Sequence, residues 1–277
     1  MREPLLRIRF LTRVVVVMLS MVRAILYRMV KSPSNWAYTC AMVGCSCILA
    51  FAIWLSQQPS LGLGSIIEGN LSQMSILQIF GYSFVSGSFI SMLAGVYIAS
   101  FFSADFKTGY IKNYIQASGG RFAYLVAAVI ASLIAVIWFM VVGVFSTSIS
   151  LFVVGQDYQL PTLEDAFLWF AQVVVVITAY MIITLLVVII TKNSTAGVIA
   201  GILLGGGAVE TILNLVLSNI PGMPYAVQMC MNNYLSMDLT ALVAGDLTGT
   251  NAFLDGGITL AVVVVLAALV MRRRSLA

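Results

Sequence analysis

The chain has no histidine, and only 9% of its 277 residues are charged. Without histidine, the commonest general base and metal ligand is missing from any chemistry proposed for it. The scarcity of charge excludes more. Soluble domains carry about a quarter charged residues, so this chain cannot clothe a water-facing surface. Cysteine is sparse as well: Cys40, Cys45 and Cys47 share one apolar run and Cys230 stands apart. That distribution implies small apolar packing, not a disulfide framework. There is no G-x-x-x-x-G-K-[ST] phosphate loop, G-x-S-x-G elbow, H-E-x-x-H helix or C-x-x-C pair. An energy-using enzyme contained in this chain alone is therefore disfavoured.

What is present is long apolar sequence, 61% hydrophobic with a mean hydropathy of +1.05. The apolar runs are continuous, whereas barrel strands would alternate, so they read as membrane-crossing helices. The expected fold is all-α with six spans: Trp36 to Ser56, Ile76 to Phe102, Phe122 to Val154, Ala166 to Thr191, Ala196 to Leu217 and Gly257 to Met271. The third exceeds the thickness of a bilayer, and the sixth is short unless Phe253 and Leu254 join it.

The basic residues test this count. Arg2, Arg7, Arg9, Arg13, Arg23, Arg28 and Lys31 precede the first span. Lys107, Lys112 and Arg121 fall between spans two and three, Lys192 between four and five, and Arg272 to Arg274 follow the sixth. With six spans all 14 lie on one side, and Glu68, Asp157, Glu164, Asp165, Asp238, Asp246 and Asp255 lie on the other. Both termini are then expected to be cytoplasmic. The net charge of +4 reflects this topology and implies no nucleic-acid partner.

Residues 1 to 35 read as a basic tail followed by an amphipathic elbow helix from Val14 to Lys31, ended by Ser32-Pro33-Ser34. The remainder, 36 to 277, reads as the six-span domain, with a long outer loop over 219 to 254. Between spans two and three, residues 103 to 121 place Phe106, Tyr110, Ile111, Tyr114 and Ile115 at three- and four-residue steps. That spacing predicts a short amphipathic helix at the cytoplasmic surface, suited either to stabilising topology or to touching a soluble partner. In span two, Ser83, Ser86 and Tyr97 are candidates for a hydroxyl-lined path, ordinary helix packing being the alternative. Gly197, Gly201 and Gly205 make a small-residue stripe that packs either within the chain or at a subunit seam. Glu210 is the one carboxylate well inside a span, so it must face protein or a water-filled cavity, or be protonated.

The run Asp105-Phe106-Lys107-Thr108-Gly109-Tyr110-Ile111-Lys112-Asn113, with Arg121 eight residues beyond, resembles the cytoplasmic motif of type-2 ABC transporter permeases. In that family an acidic residue precedes a Gly-Thr-Ile-Lys-Asn-like stretch and a Ser-Arg pair opens the third span. Here Tyr110 replaces the usual threonine and Gly120 the common serine. The elbow ending Leu26-Tyr27-Arg28-Met29-Val30-Lys31-Ser32, the six spans and the long final outer loop extend the resemblance over most of the chain. The compact permeases near the bacitracin and lantibiotic self-protection exporters are most similar. The resemblance implies a catalytically silent membrane subunit of an exporter. Its partners would be two ABC ATPase subunits carrying ATP and Mg, and a second permease, identical or related. Asp105, Phe106, Lys107, Gly109, Tyr110, Lys112, Asn113 and Arg121 would meet the ATPase through a coupling helix, and Arg23, Tyr27, Arg28 and Lys31 through the elbow. The second and fifth spans would line the path or seam. The alternatives are an ion-coupled secondary transporter or a silent membrane anchor.

Overall fold

A computed structural model describes residues 3–56, 73–86, 88–111, 120–218, 234–245, 247 and 251–273; at 3–15, 17, 210, 214, 217 and 218 the backbone alone is described. The elements are α1 (Glu3–Lys31), α2 (Pro33–Ser56), α3 (Ile76–Phe80), α4 (Phe89–Lys107), α5 (Arg121–Val153), α6 (Leu163–Thr191), α7 (Ser194–Gly205), α8 (Ala208–Ser218), α9 (Leu235–Ala244) and α10 (Ala252–Arg273). Among the described residues, α2, α4, α5, α6 and α10 are long and apolar enough to cross a membrane. The all-helical membrane character expected from composition is therefore present.

Two expected spans are interrupted, in both cases where small residues cluster. The second does not run unbroken from Ile76 to Phe102. Instead α3 passes into a π turn at Gly81–Val85, where the Ser86 N–H reaches back to the Gly81 carbonyl at 2.8 Å, and Ser88 then adopts a left-handed conformation (φ 57°) before α4 begins. The expected fifth span divides at Gly206–Gly207, with Gly207 at φ +68°, into α7 and α8. A left-handed φ costs glycine no Cβ clash, so the helix stops there.

The first helix runs the other way. Residues 3 to 13, expected as a tail, are helical and continuous with the elbow, so α1 extends from Glu3 to Lys31. Ser32 alone separates it from α2, which opens on Pro33, whose absent N–H removes no hydrogen bond at a helix start. Phe253 and Leu254 do join the last helix, which begins at Ala252 and is long enough to span.

α5 and α6 run antiparallel, while α2 runs parallel to α5 and α10 in the direction of α6. The 33 residues of α5 make it about 50 Å long at 1.5 Å per residue. α2 lies along α5, joined by hydroxyls: Trp138 Nε1 donates to Thr39 Oγ1 (3.1 Å), and Ser46 meets Ser146 (2.8 Å) and Thr147 (3.2 Å). Gly143 lets Met42 and Phe80 approach α5, since a Cβ there would lie 2.6 Å and 2.7 Å from their side chains. α10 packs on α6, with Gly256 against Val175.

α7 packs on α4 through glycine. A Cβ on Gly201 would sit 2.8 Å from the Gly95 backbone, and one on Gly205 would be equally close to the Ser91 and Met92 backbones. Gly197 faces Ala99 and Val188. Of the two alternatives left open by the sequence, these contacts are those of a stripe packed within the chain.

These directions gather the helix ends at two poles. One holds the ends of α1, α4 and α10, the start of α5 and the α6–α7 turn at Lys192. The other holds the α5–α6 loop, which pairs with residues 74 to 76 (Gln159 N–H to Met74 O, 3.0 Å; Ile76 N–H to Gln159 O, 3.1 Å), together with α9. α9 is pinned beside α6, where Trp169 Nε1 donates to the Leu242 carbonyl (3.1 Å).

Candidate functional site

The resemblance motif begins inside a helix. Residues 103 to 107 form the last turns of α4, so the amphipathic helix expected over this stretch does not start at Ser103. Thr108 Oγ1 returns to the Ala104 carbonyl (2.8 Å), Gly109 turns left-handed at φ +68°, and the chain leaves α4 into Tyr110 and Ile111. Lys112 and Asn113 lie outside the described residues.

Asp105 faces inward from that last turn and is wholly buried. One of its oxygens pairs with the Arg28 guanidinium, and the other accepts from the Tyr124 hydroxyl at 3.0 Å. The Arg28 guanidinium also lies over two rings, Tyr110 at 4.3 Å and Phe101 at 5.1 Å from their centroids. Arginine suits this place because its planar cation pairs with a carboxylate and stacks on aromatic faces at once. α1 reaches the cluster because Met21, Ile25 and Met29 are buried at four-residue steps.

The arrangement ties four segments together: α1, the end of α4, the turn at Tyr110 and the start of α5. Asp105 and Arg28, both expected as partner contacts, hold each other. Nothing in the sequence pairs two residues 77 apart.

Arg121 likewise turns inward. Its Nη1 donates to the Met271 carbonyl (2.7 Å) and the Arg272 carbonyl (3.3 Å), binding the first turn of α5 to the last of α10. A cation near a helix C-terminus complements its dipole.

Among the expected contact residues, those exposed at this pole are Arg23, Tyr27 (65% exposed) and Lys31, one stripe of α1 at four-residue spacing, and Lys107 at the end of α4. Phe106 is half-buried. The helix thus divides its elbow residues: Arg28 inward, the other three outward.

The hydroxyl candidates of the second span have separate uses. Ser83 Oγ donates to the Ile79 carbonyl (2.8 Å), Ser86 is exposed at the π turn, and Tyr97 is buried among Tyr38, Phe139 and Phe101. Glu210 belongs to α8 just after the Gly206–Gly207 turn, and its side chain lies outside the described residues. No group of three or more Cys, Asp or Glu side chains able to hold a metal occurs among the described residues.

At the opposite pole, Asp238 of α9 is buried and hydrogen-bonded to Asp255 at the start of α10. Burial first, then the negative charge of Asp255, pushes its carboxyl from 3.8 up to about 6. Two carboxylates in contact share one proton more readily than they ionise together. Because the folded value is the higher, the stability contributed by this group is complete below pH 3.8 and is lost as pH rises through about 6. Thermal unfolding followed from pH 4 to 7 is expected to show this decline, and Asp238→Asn to flatten it while raising stability at pH 7.

No family model matches this chain, and no curated protein matches it in sequence.

Proposed function

We propose that this chain is the membrane permease subunit of an ATP-driven ABC exporter in a bacterial plasma membrane. It moves an amphipathic substrate such as a peptide, lipid or drug, and its energy comes from separate ATPase subunits. The observation that carries this reading is the cluster of Arg28, Asp105, Tyr110 and Tyr124. It welds the amphipathic α1 to the segment whose sequence resembles the coupling motif, so a force applied to either is delivered directly to α4 and α5. An interfacial loop serving topology alone has no need of a buried, ion-paired junction, which is costly to desolvate.

Helix direction supports the same reading. With α7 and α8 counted together as one crossing, the end of α1 and the end of α10 lie at the same basic pole, the side that an excess of lysine and arginine would make cytoplasmic. The ATPase pair, holding ATP and Mg, docks there, and a second permease, identical or related, completes the path. Docking uses the outward residues Arg23, Tyr27, Lys31 and Lys107, while Asp105 and Arg28 hold the platform rigid.

The test separates surface from platform. The tagged chain is co-purified in mild detergent with candidate P-loop ATPases from its own source. Tyr27→Ala with Lys107→Glu is expected to weaken that complex at least about tenfold, the loss of an exposed aromatic anchor and a reversed rim charge, with the unfolding temperature unchanged. A complex indifferent to both changes would overturn the docking assignment.

A further inference from the structure

We propose that the groove between the first turn of α5 and the last turns of α10 binds one anionic phospholipid of the surrounding bilayer. The groove has a volume of about 630 Å³, in the range of small-molecule sites. Phe122 and Leu125 form one wall and Val265 and Leu269 the other, with Arg121 and Arg272 at its end.

The groove follows from how α10 divides its faces. Val263, Ala267 and Met271 are buried, while Val265 (58% exposed) and Leu269 (48%) look away from that buried side. Phe122, 62% exposed, stands opposite them on α5. Arg121 bridges to the Met271 and Arg272 carbonyls, which joins the two helices at the basic pole and closes the groove there. The result is an apolar slot open to the lipid side and shut by cations at the level where headgroups lie.

Charge selects the occupant. The last carbonyls of a helix repel anions, but here Arg121 already satisfies two of them. Arg272 and Arg273 follow, both exposed. Asp105, a carboxylate at the same pole, is buried and paired with Arg28, so it does not compete. An acyl chain fills the apolar walls and the phosphate meets the arginines. A zwitterionic lipid brings its own ammonium to the same rim and gains less. The proposal requires only that the basic pole sits at a membrane surface, and it stands whether or not an ATPase docks.

The experiment is native mass spectrometry of the purified full chain offered dioleoylphosphatidylglycerol or dioleoylphosphatidylcholine. The wild type is expected to retain the anionic lipid in preference, and Arg272→Gln with Arg273→Gln to lose about fivefold per arginine, the effect of one basic residue at an anionic surface. Leu269→Trp, which fills the slot and leaves every charge in place, is expected to reduce retention of both lipids. Circular dichroism confirms that each variant is folded. Equal retention of the two lipids by the wild type, an unchanged preference in the double variant, or full competition by soluble glycerol phosphate would each overturn the proposal; the last would mark a free-phosphate site in which the groove has no part.

Discussion

Arg28→Ala is expected to destabilise the folded chain by about 3–5 kcal/mol, the cost of leaving one partner of a buried ion pair behind. The magnitude is large because the Asp105 side chain is wholly buried and Tyr124 alone cannot neutralise it. Arg28→Lys is expected to recover only part of the loss, since lysine keeps the charge but not the stacked plane over Tyr110 and Phe101. Replacing both members with leucine should cost less than the sum of the single changes, because no orphan charge remains. Thermal unfolding in detergent of the wild type, Arg28→Leu, Asp105→Leu and the double leucine variant, read as a double-mutant cycle, measures the coupling directly. Limited proteolysis adds the location: α1 should be released first in the Arg28→Ala protein. If the single change leaves stability within about 0.5 kcal/mol, the range of an ordinary surface substitution, Asp105 and Arg28 do not hold the junction.

Gly201→Leu is the second. A Cβ at Gly201 would stand 2.8 Å from the Gly95 carbonyl carbon and 3.0 Å from the Val96 nitrogen, and Gly95 would in turn press on Gly201. Both obstacles are backbone, so no rotamer change relieves them, and α7 must move off α4. Overpacking a close contact costs about 1–3 kcal/mol for small insertions; a full leucine between two backbones belongs at or above the upper end. Gly201→Ala should already be measurable. Gly44→Ala supplies the control, because nothing lies within 4 Å of a Cβ there, and it should be neutral or slightly stabilising in a helix interior. An α4–α7 contact that tolerates leucine at Gly201 without loss of stability would mean that the two helices do not touch along this stripe.

The contrast between these two sites shows what is legible in a sequence of this kind. The glycine stripe is visible because Gly197, Gly201 and Gly205 recur every four residues, a local pattern that demands some close neighbour. Which neighbour is not local. Gly95 lies 106 positions away, and a small residue opposite a small residue leaves no compositional trace. Helix ends were legible where the chain supplied backbone chemistry, as at Ser32-Pro33, and illegible where apolar residues run through a break. At Gly206–Gly207 and around Ser86 to Ser88 hydropathy continues across a stop that only backbone conformation reveals. At the candidate site the sequence did not show that Asp105 and Arg28 pair with each other. Asp105 and Arg28 read as surface groups because charge in an apolar protein is usually pushed to its edge, yet the same rule makes an ion pair the natural partner for a carboxylate kept inside. Arg121 was legible as a cation at the start of a helix, but its attachment to the end of α10 depends on packing 150 residues distant.

The most direct test of the account is the mass of the assembly formed when this chain is co-expressed with a candidate P-loop ATPase from its own source and purified in mild detergent. The account predicts two copies of the permease, or one with a related permease, carrying two ATPase subunits. Tyr27→Ala with Lys107→Glu should strip the ATPase from otherwise intact permease. A permease that never retains an ATPase, yet moves substrate when an ion gradient is imposed, would contradict it and make the chain an ion-coupled transporter.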